Sequence, residues 1–360
     1  MKIIIVQDRL RSGGTERQSI FLAQAFAAAG HEATLLTFRP GGTLADSVST
    51  GVRHKVLQPV DLGLDWFAPG LLPTLRELAP DVVLCMGRMA NCYGGALQRH
   101  LPATAMIATM RTGKALPWLF RRSLATVRHI VANSRDASDT LVRTYGVDRS
   151  RISVIHNSLV FPPPTSVDRD LTVRAQFGAD VNTHVLLCVA MFRPEKNQRE
   201  LVEIVRGLPA HPPWQLWLAG DGPARAACEQ WVAKHDLGAR VKFPGFQRDP
   251  RPLYQAADYA VHASSSEALS NFLIEAQAYG LPVVAYDAQG IAECFIPDRT
   301  GWVIPRGEHD AFRAALTRLM ATSPAGRATL AQEASAFARH TFDPQRQCAA
   351  YLSLFQTQLA

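Results

Sequence analysis

Long apolar runs are the plainest shortage in this 360-residue sequence. None approaches the ~18 residues of a membrane span, which excludes a class built on spanning helices. The apolar stretch in Met1–Asp8 is too short for a signal peptide and reads as a first buried strand. Cysteine is sparse: Cys85, Cys92, Cys188, Cys228, Cys294 and Cys348 form no Cys-x-x-Cys pair and no short disulfide framework. A disulfide-stapled secreted module is therefore excluded, and a reducing cytoplasm is the expected setting. Glycine and proline are scattered, so no collagen-like or low-complexity class is indicated. With 47% apolar and 19% charged residues, the composition is that of an ordinary globular protein.

What charge there is lies unevenly. Residues 1–160 hold 19 Lys and Arg against 11 Asp and Glu, whereas the remainder holds 19 against 20. The first half thus carries the net positive charge and is the half expected to meet an anionic partner, unless the excess is simply a solvated surface. No nucleic-acid-binding module accompanies it.

The length suggests two domains. Strand-length apolar runs alternate with helix-length patterns, which predicts parallel α/β sheets. In the first half the strands are expected at Ile3–Val6, Ala33–Phe38, Val82–Cys85, Ala105–Thr109, His129–Ala132 and Ile152–Ile155. In the second they are expected at Val185–Val189, Gln215–Ala219, Arg240–Phe243, Tyr259–His262, Val283–Ala285 and Gly301–Ile304. The prolines of Phe161–Thr165 fit neither sheet nor helix interior and mark a linker. The boundaries follow: a doubly wound domain over 1–160, a second over 161–343, and a terminal helix over 344–360. Ligands of such domains sit beyond the carboxyl ends of the strands.

The most informative segment runs from Ser264 to Ala285. Glu267 falls in a Ser-rich loop, and Glu275, eight positions on, falls in what reads as an amphipathic helix. Ser270 is the expected N-cap, Gly280 and Pro282 stop the helix, and Val283-Val284-Ala285 starts a strand. A helix N-terminus beside a carboxylate suits a ligand carrying both phosphate and hydroxyls. Companions stand along the chain: Gly13-Gly14-Thr15 after the first strand, Arg193-Pro194-Glu195-Lys196, Gly220-Asp221-Gly222 and Phe243-Pro244-Gly245-Phe246.

Together these motifs resemble glycosyltransferase family 4, the retaining enzymes with a Glu-x7-Glu signature, over nearly the whole chain. The resemblance implies the GT-B fold, two Rossmann-like doubly wound domains facing a central cleft, with the terminal helix crossing back to the first domain. It implies transfer of a hexose or N-acetylhexosamine from a nucleoside-diphosphate sugar. UDP is expected ahead of GDP as the nucleotide, and a glycan or lipid-linked acceptor of cell-surface polysaccharide or glycolipid synthesis is held by the first domain.

By the same resemblance Lys196 and Arg193 neutralise the leaving diphosphate, Glu267 faces the transferred sugar and Glu275 binds the ribose. Backbone amides of Leu269, Ser270, Asn271 and Phe272 hold the sugar and distal phosphate. Gly245 and Phe246 lie along the base, and Gly13 and Gly14 approach the donor. Arg111 stands where the family often has a histidine and is a candidate catalytic group. The chain departs from the family at Met191, where an arginine is usual, and at Ala268 and Ser270, where glycine and proline are usual.

Lys114–Arg122 interleaves bulky apolar residues with cations, a pattern suited to an anionic membrane surface, to a lipid-linked acceptor, or to a core helix with a basic face. Asp168-Arg169-Asp170 matches a metal-binding Asp-x-Asp pattern, but no strand leads into it, so a metal-independent enzyme is expected, cytoplasmic and at most peripheral to the membrane. Two other readings fit the same residues: another GT-B enzyme (an epimerase or disaccharide synthase), or a nucleotide-sugar-binding protein that has lost catalysis.

Overall fold

The computed structural model describes residues 1–160 and 169–360. The Pro-rich segment Phe161–Thr165 and Asp168 lie outside the described residues. The chain divides into two compact units, Met1–Val160 with Pro344–Ala360, and Phe161–Asp343.

The first unit runs β1 (Lys2–Gln7), α1 (Gly14–Ala28), β2 (Glu32–Thr37), β3 (Arg53–Val56), α2 (Leu71–Leu78), β4 (Val82–Cys85), α3 (Arg88–His100), β5 (Ala105–Met110), α4 (Trp118–Leu124), β6 (His129–Ala132), α5 (Arg135–Tyr145) and β7 (Ile152–Val154). The second runs α6 (Leu171–Gln176), β8 (His184–Val189), α7 (Gln198–Arg206), β9 (Trp214–Ala219), α8 (Arg225–Lys234), β10 (Val241–Gly245), α9 (Arg251–Ala256), β11 (Tyr259–His262), α10 (Asn271–Ala278), β12 (Val283–Tyr286), β13 (Gly301–Ile304), α11 (His309–Met320) and α12 (Pro324–Thr341). The last helix, α13 (Pro344–Leu359), belongs to the first unit.

The seven-stranded sheet has the order β3-β2-β1-β4-β5-β6-β7 and the six-stranded sheet the order β10-β9-β8-β11-β12-β13. All their pairings are parallel. Each unit is therefore a Rossmann-like α/β fold, as the alternation of strands and helices predicts. Strands such as Val82–Cys85 and Tyr259–His262 are buried along their whole length, because helices cover both faces of a parallel sheet. In each sheet the strand order reverses once, between β1 and β4 and between β8 and β11. Those switch points open crevices beyond the strands' carboxyl ends.

Three features differ from the sequence-based expectation. Arg53–Val56 forms an additional edge strand with no buried residue in it, paired with β2 on one side. The helix carrying Glu275 is not amphipathic: every residue from Phe272 to Ala278 is buried, since β12 and α12 pack against it from different sides. Ser270 occupies the N-cap position, but its hydroxyl makes no capping hydrogen bond.

The terminal helix inserts Tyr351 and Phe355 into the first unit's core, against Phe26 of α1 at ring separations of 6.2 and 5.5 Å. A buried polar network locks it further. Gln347 Nε2 donates to Gln18 Oε1 at 3.1 Å and to the His156 carbonyl at 2.8 Å. Ser158 Oγ donates to Gln347 Oε1 at 2.8 Å, and Gln18 Nε2 donates to the Ser158 carbonyl at 2.7 Å.

Candidate active site

In the second unit the candidate residues gather at the β8/β11 switch point. Beyond β8, Arg193 leads into a short 3-10 turn, Pro194–Lys196, and Asn197 follows at φ 51°. Beyond β11 the loop Ala263–Ser270 returns toward this turn and is laced to it. Ser265 N–H donates to the Glu195 carbonyl at 2.8 Å, Ser264 and Ser265 hydroxyls donate to the same oxygen at 3.2 Å, and Asn197 Nδ2 donates to the Ala263 carbonyl at 3.1 Å. This lacing brings residues 71 apart in sequence together: the Lys196 ammonium forms an ion pair with Glu267 Oε1.

A third group, His262 at the end of β11, closes the cluster. Its Nε2 lies 2.7 Å from the same Glu267 Oε1, and since a carboxylate oxygen only accepts, Nε2 is the donor. Burial pushes the Glu267 carboxyl up, but the Lys196 charge and the His262 hydrogen bond outweigh it and bring it down to about 2. Glu267 is therefore an anion throughout the physiological range. Both cationic or donor partners sit on Oε1, and among the described residues Oε2 has no hydrogen-bond partner. The nearby thiols add no charge: burial raises Cys188 to about 12 and pushes Cys294 up as well.

Glu275 sits 7% exposed on α10, and Tyr254 of α9, fully buried, donates its hydroxyl to Glu275 Oε2 at 2.6 Å. Phe272 connects the two carboxylates' partners, its ring 6.2 Å from Tyr254 and 5.8 Å from His262. Leu269 and Ser270 are buried and Asn271 half-buried at the start of α10. The Ser270 hydroxyl caps none of the first-turn N–H groups of α10.

Arg193 is placed differently from Lys196. It lines a cavity of about 530 Å³ with Gln198, Arg199, Glu200, Glu203 and His309. Gly220 and Gly222 serve the fold. At φ 142° and 148°, a Cβ on either would meet the carbonyl oxygen of Ala190 or Phe192 at 2.0 or 2.4 Å, so the β9–α8 turn closes only with glycine. Gly245 ends β10 and accepts a 2.8 Å hydrogen bond from Gly220 N–H, with Phe246 half-buried beside it.

In the first unit Gly13 is the N-cap of α1 and Gly14 its first residue. A Cβ at Gly13 would lie 2.4 Å from Glu16 Oε2, so glycine lets the carboxylate fold back over the first turn. Arg111, beyond β5, spends its guanidinium on its own unit: Nη1 donates to Asn157 Oδ1 at 2.5 Å and Nη2 to Tyr351 Oη at 3.1 Å. At the β1/β4 switch point Asp8 accepts the Met89 and Ala90 N–H groups at 3.0 and 2.9 Å, which caps α3. On α4, Trp118 and Leu119 are exposed, and the Arg122 guanidinium lies 5.3 Å from the Trp118 ring centroid.

His262 and Tyr254 are site residues that the sequence alone does not single out. The signal for His262 was a histidine at the end of a predicted strand, five residues before Glu267. For Tyr254, 21 residues ahead of Glu275, no local signal exists. Among the described residues no three His, Cys, Asp or Glu side chains are grouped to hold a metal ion, and no helix is long and apolar enough to cross a membrane.

Known proteins bear on this geometry. The family described as Glycosyltransferase Family 4 matches residues 12–159, and the one described as Glycosyl transferases group 1 matches residues 170–337. The chain is 27% identical over 317 residues to the lipopolysaccharide core biosynthesis glycosyltransferase LpsE of Rhizobium meliloti, covering 86% of each. It is 28% identical over 315 residues to the GDP-mannose-dependent alpha-mannosyltransferase of Mycobacterium tuberculosis, covering 78% of this chain and 77% of that one. Among solved structures, Anabaena HepE in complex with UDP is similar with a TM-score of 0.80 at 23% identity, over 98% of this chain and 100% of that one. A likeness at that identity speaks for the fold.

Proposed function

The chain belongs to the family 4 glycosyltransferases, whose two characteristic segments match one in each unit, and from that premise we propose that it moves a hexose or N-acetylhexosamine from a nucleoside-diphosphate sugar to a glycan or lipid-linked acceptor with retention of configuration. The observation that carries the proposal is the Glu267 cluster: a carboxylate held ionised by Lys196 and His262, with one oxygen unpartnered among the described residues, beside the N-terminus of α10.

In this reading the bond between the sugar's C1 and the diphosphate oxygen breaks, and its electron pair leaves with the diphosphate. Lys196 has N–H donors beyond the one directed at Glu267, and with the first-turn amides of α10 it stabilises the developing phosphate charge. Arg193, facing the neighbouring cavity, is assigned second to Lys196. Glu267 Oε2 lies toward the sugar and balances the positive charge of the oxocarbenium-like state. An acceptor hydroxyl oxygen bonds to C1 on the face the diphosphate leaves, and its proton passes to the departing phosphate oxygen. Glu275, steadied by Tyr254, takes the ribose hydroxyls. Lys196 and the amides supply the positive charge, so no metal ion is required.

UDP is the first choice of nucleotide, and HepE was crystallised with it. GDP is the second reading, favoured by the relative named as GDP-mannose-dependent. An amphipathic, lipid-linked acceptor fits the exposed Trp118 and Leu119 among the cations of α4, and the relative LpsE is named for lipopolysaccharide core synthesis. That surface also supports peripheral contact with an anionic membrane.

The test is to incubate the chain with a panel of UDP- and GDP-sugars, with and without EDTA, and follow the released sugar by proton NMR. Slow hydrolysis of one donor, α-anomer first from an α-linked donor, and no loss with EDTA support the reading. Inverted product or full dependence on added Mn²⁺ contradicts it.

A further inference from the structure

We infer that His262 is a positioning residue for Glu267, fixing which carboxylate oxygen faces the sugar; the inference rests on the glycosyl-transfer reading for its consequence, but not for its geometry. The His262 side chain is 2% exposed, and the ring of Phe272 lies 5.8 Å away at 59° to it. Its Nδ1 is buried with no hydrogen-bond partner among the described residues. The imidazole's one side-chain hydrogen bond is the 2.7 Å contact to Glu267 Oε1. A histidine kept for core packing has no need of a carboxylate, and one kept for the fold's polar balance would engage both nitrogens.

The geometry divides two tasks. Lys196 is an ammonium on a flexible stem with several N–H directions, and in the proposed reaction the diphosphate competes for them. His262 has one rigid ring on a β-strand end and nothing else to bind. When Lys196 turns toward phosphate, His262 still holds Oε1, so Oε2 remains the oxygen presented to the sugar. The groups around Glu267 are then Lys196 from the turn after β8, His262 from β11, the neutral thiol of Cys188 from β8, and that of Cys294 from the segment before β13.

His262→Leu removes the donor at similar volume, whereas His262→Gln restores an N–H near the Nε2 position. UDP lacks the sugar that Glu267 faces, so His262→Leu should bind UDP in calorimetry as the parent does. Its turnover of donor should fall on the order of tenfold with the donor KM little changed. The acid limb of turnover should also move up by about one to two pH units, and His262→Gln should recover most of both. The carboxyl-carbon NMR signal of Glu267, assigned by its loss in Glu267→Gln in a glutamate-labelled full chain, reports the same shift whether or not any donor is turned over. Unchanged turnover and an unchanged Glu267 titration in His262→Leu overturn the inference. So does a loss of UDP affinity matching the loss of turnover, which would make His262 merely structural. A shifted Glu267 titration in a chain inert to every donor would instead sustain the positioning role and defeat the proposed function.

Discussion

Two carboxylates stand at the two switch points of this molecule, and they have opposite fates. Asp8, ending β1 at the β1/β4 crevice, packs against Gly87 and accepts two N–H groups from α3, but no cation is bonded to it among the described residues. Burial raises its carboxyl to about 6 against the pull of those N–H groups. Glu267, at the β8/β11 crevice, is also enclosed, yet Lys196 and His262 bring it down to about 2. Similar folds thus hold one carboxylate as a helix cap near its titration point and the other as a permanent anion with a free oxygen. The same contrast separates the cations. Arg111 closes on neutral Asn157 and Tyr351 within the first unit, while Lys196 pairs with the ionised Glu267. The first unit also carries charge of its own, with Arg9, Arg11 and Arg39 paired to Asp61 and Asp65.

Three substitutions sharpen or break that comparison. The largest effect is expected from Glu267→Gln, which keeps the shape and removes the charge: donor turnover should drop by about 10² to 10³, with UDP affinity nearly intact in calorimetry. Equal losses in both would make Glu267 a binding residue. Arg111→Ala should cost on the order of 1–3 kcal/mol of stability in chemical denaturation, because Asn157 and Tyr351 each lose a charged hydrogen bond, with turnover at a permissive temperature changed far less than by Glu267→Gln. Abolished turnover in a fully stable Arg111→Ala variant would move part of the chemistry to the first unit.

The smallest effect concerns Asp8. Its folded-state value lies above the ordinary 3.8, so the folded chain holds the proton longer than the unfolded one. Its contribution is therefore most favourable below about pH 4 and is lost as pH rises through about 6. Asp8→Asn should flatten that part of the melting-temperature profile, and an unchanged slope between pH 4 and 6 would contradict the raised value.

Much of the frame was legible because parallel strands buried on both faces leave apolar runs: Val82–Cys85, His129–Ala132 and Tyr259–His262 stand where those runs place them. Arg53–Val56 was not, since an edge strand held by β2 alone can be polar throughout. The α10 helix misled for the opposite reason: with a sheet on one side and α12 on the other it has no solvent face to pattern. In the candidate site, Glu267, Glu275 and Lys196 could be read from spacing and resemblance. Their partners could not, because His262 and Tyr254 reach them through loop return and helix packing that no local pattern encodes.

Calorimetric titration of UDP, and of GDP in parallel, into the parent chain, Lys196→Ala and Glu275→Ala tests the central claim most directly. The account predicts that one nucleotide binds the parent and that each substitution weakens it roughly tenfold or more, since each removes a charged hydrogen-bonding group from the ligand. Affinity unchanged in both variants would contradict the assignment of the β8/β11 crevice as the donor site.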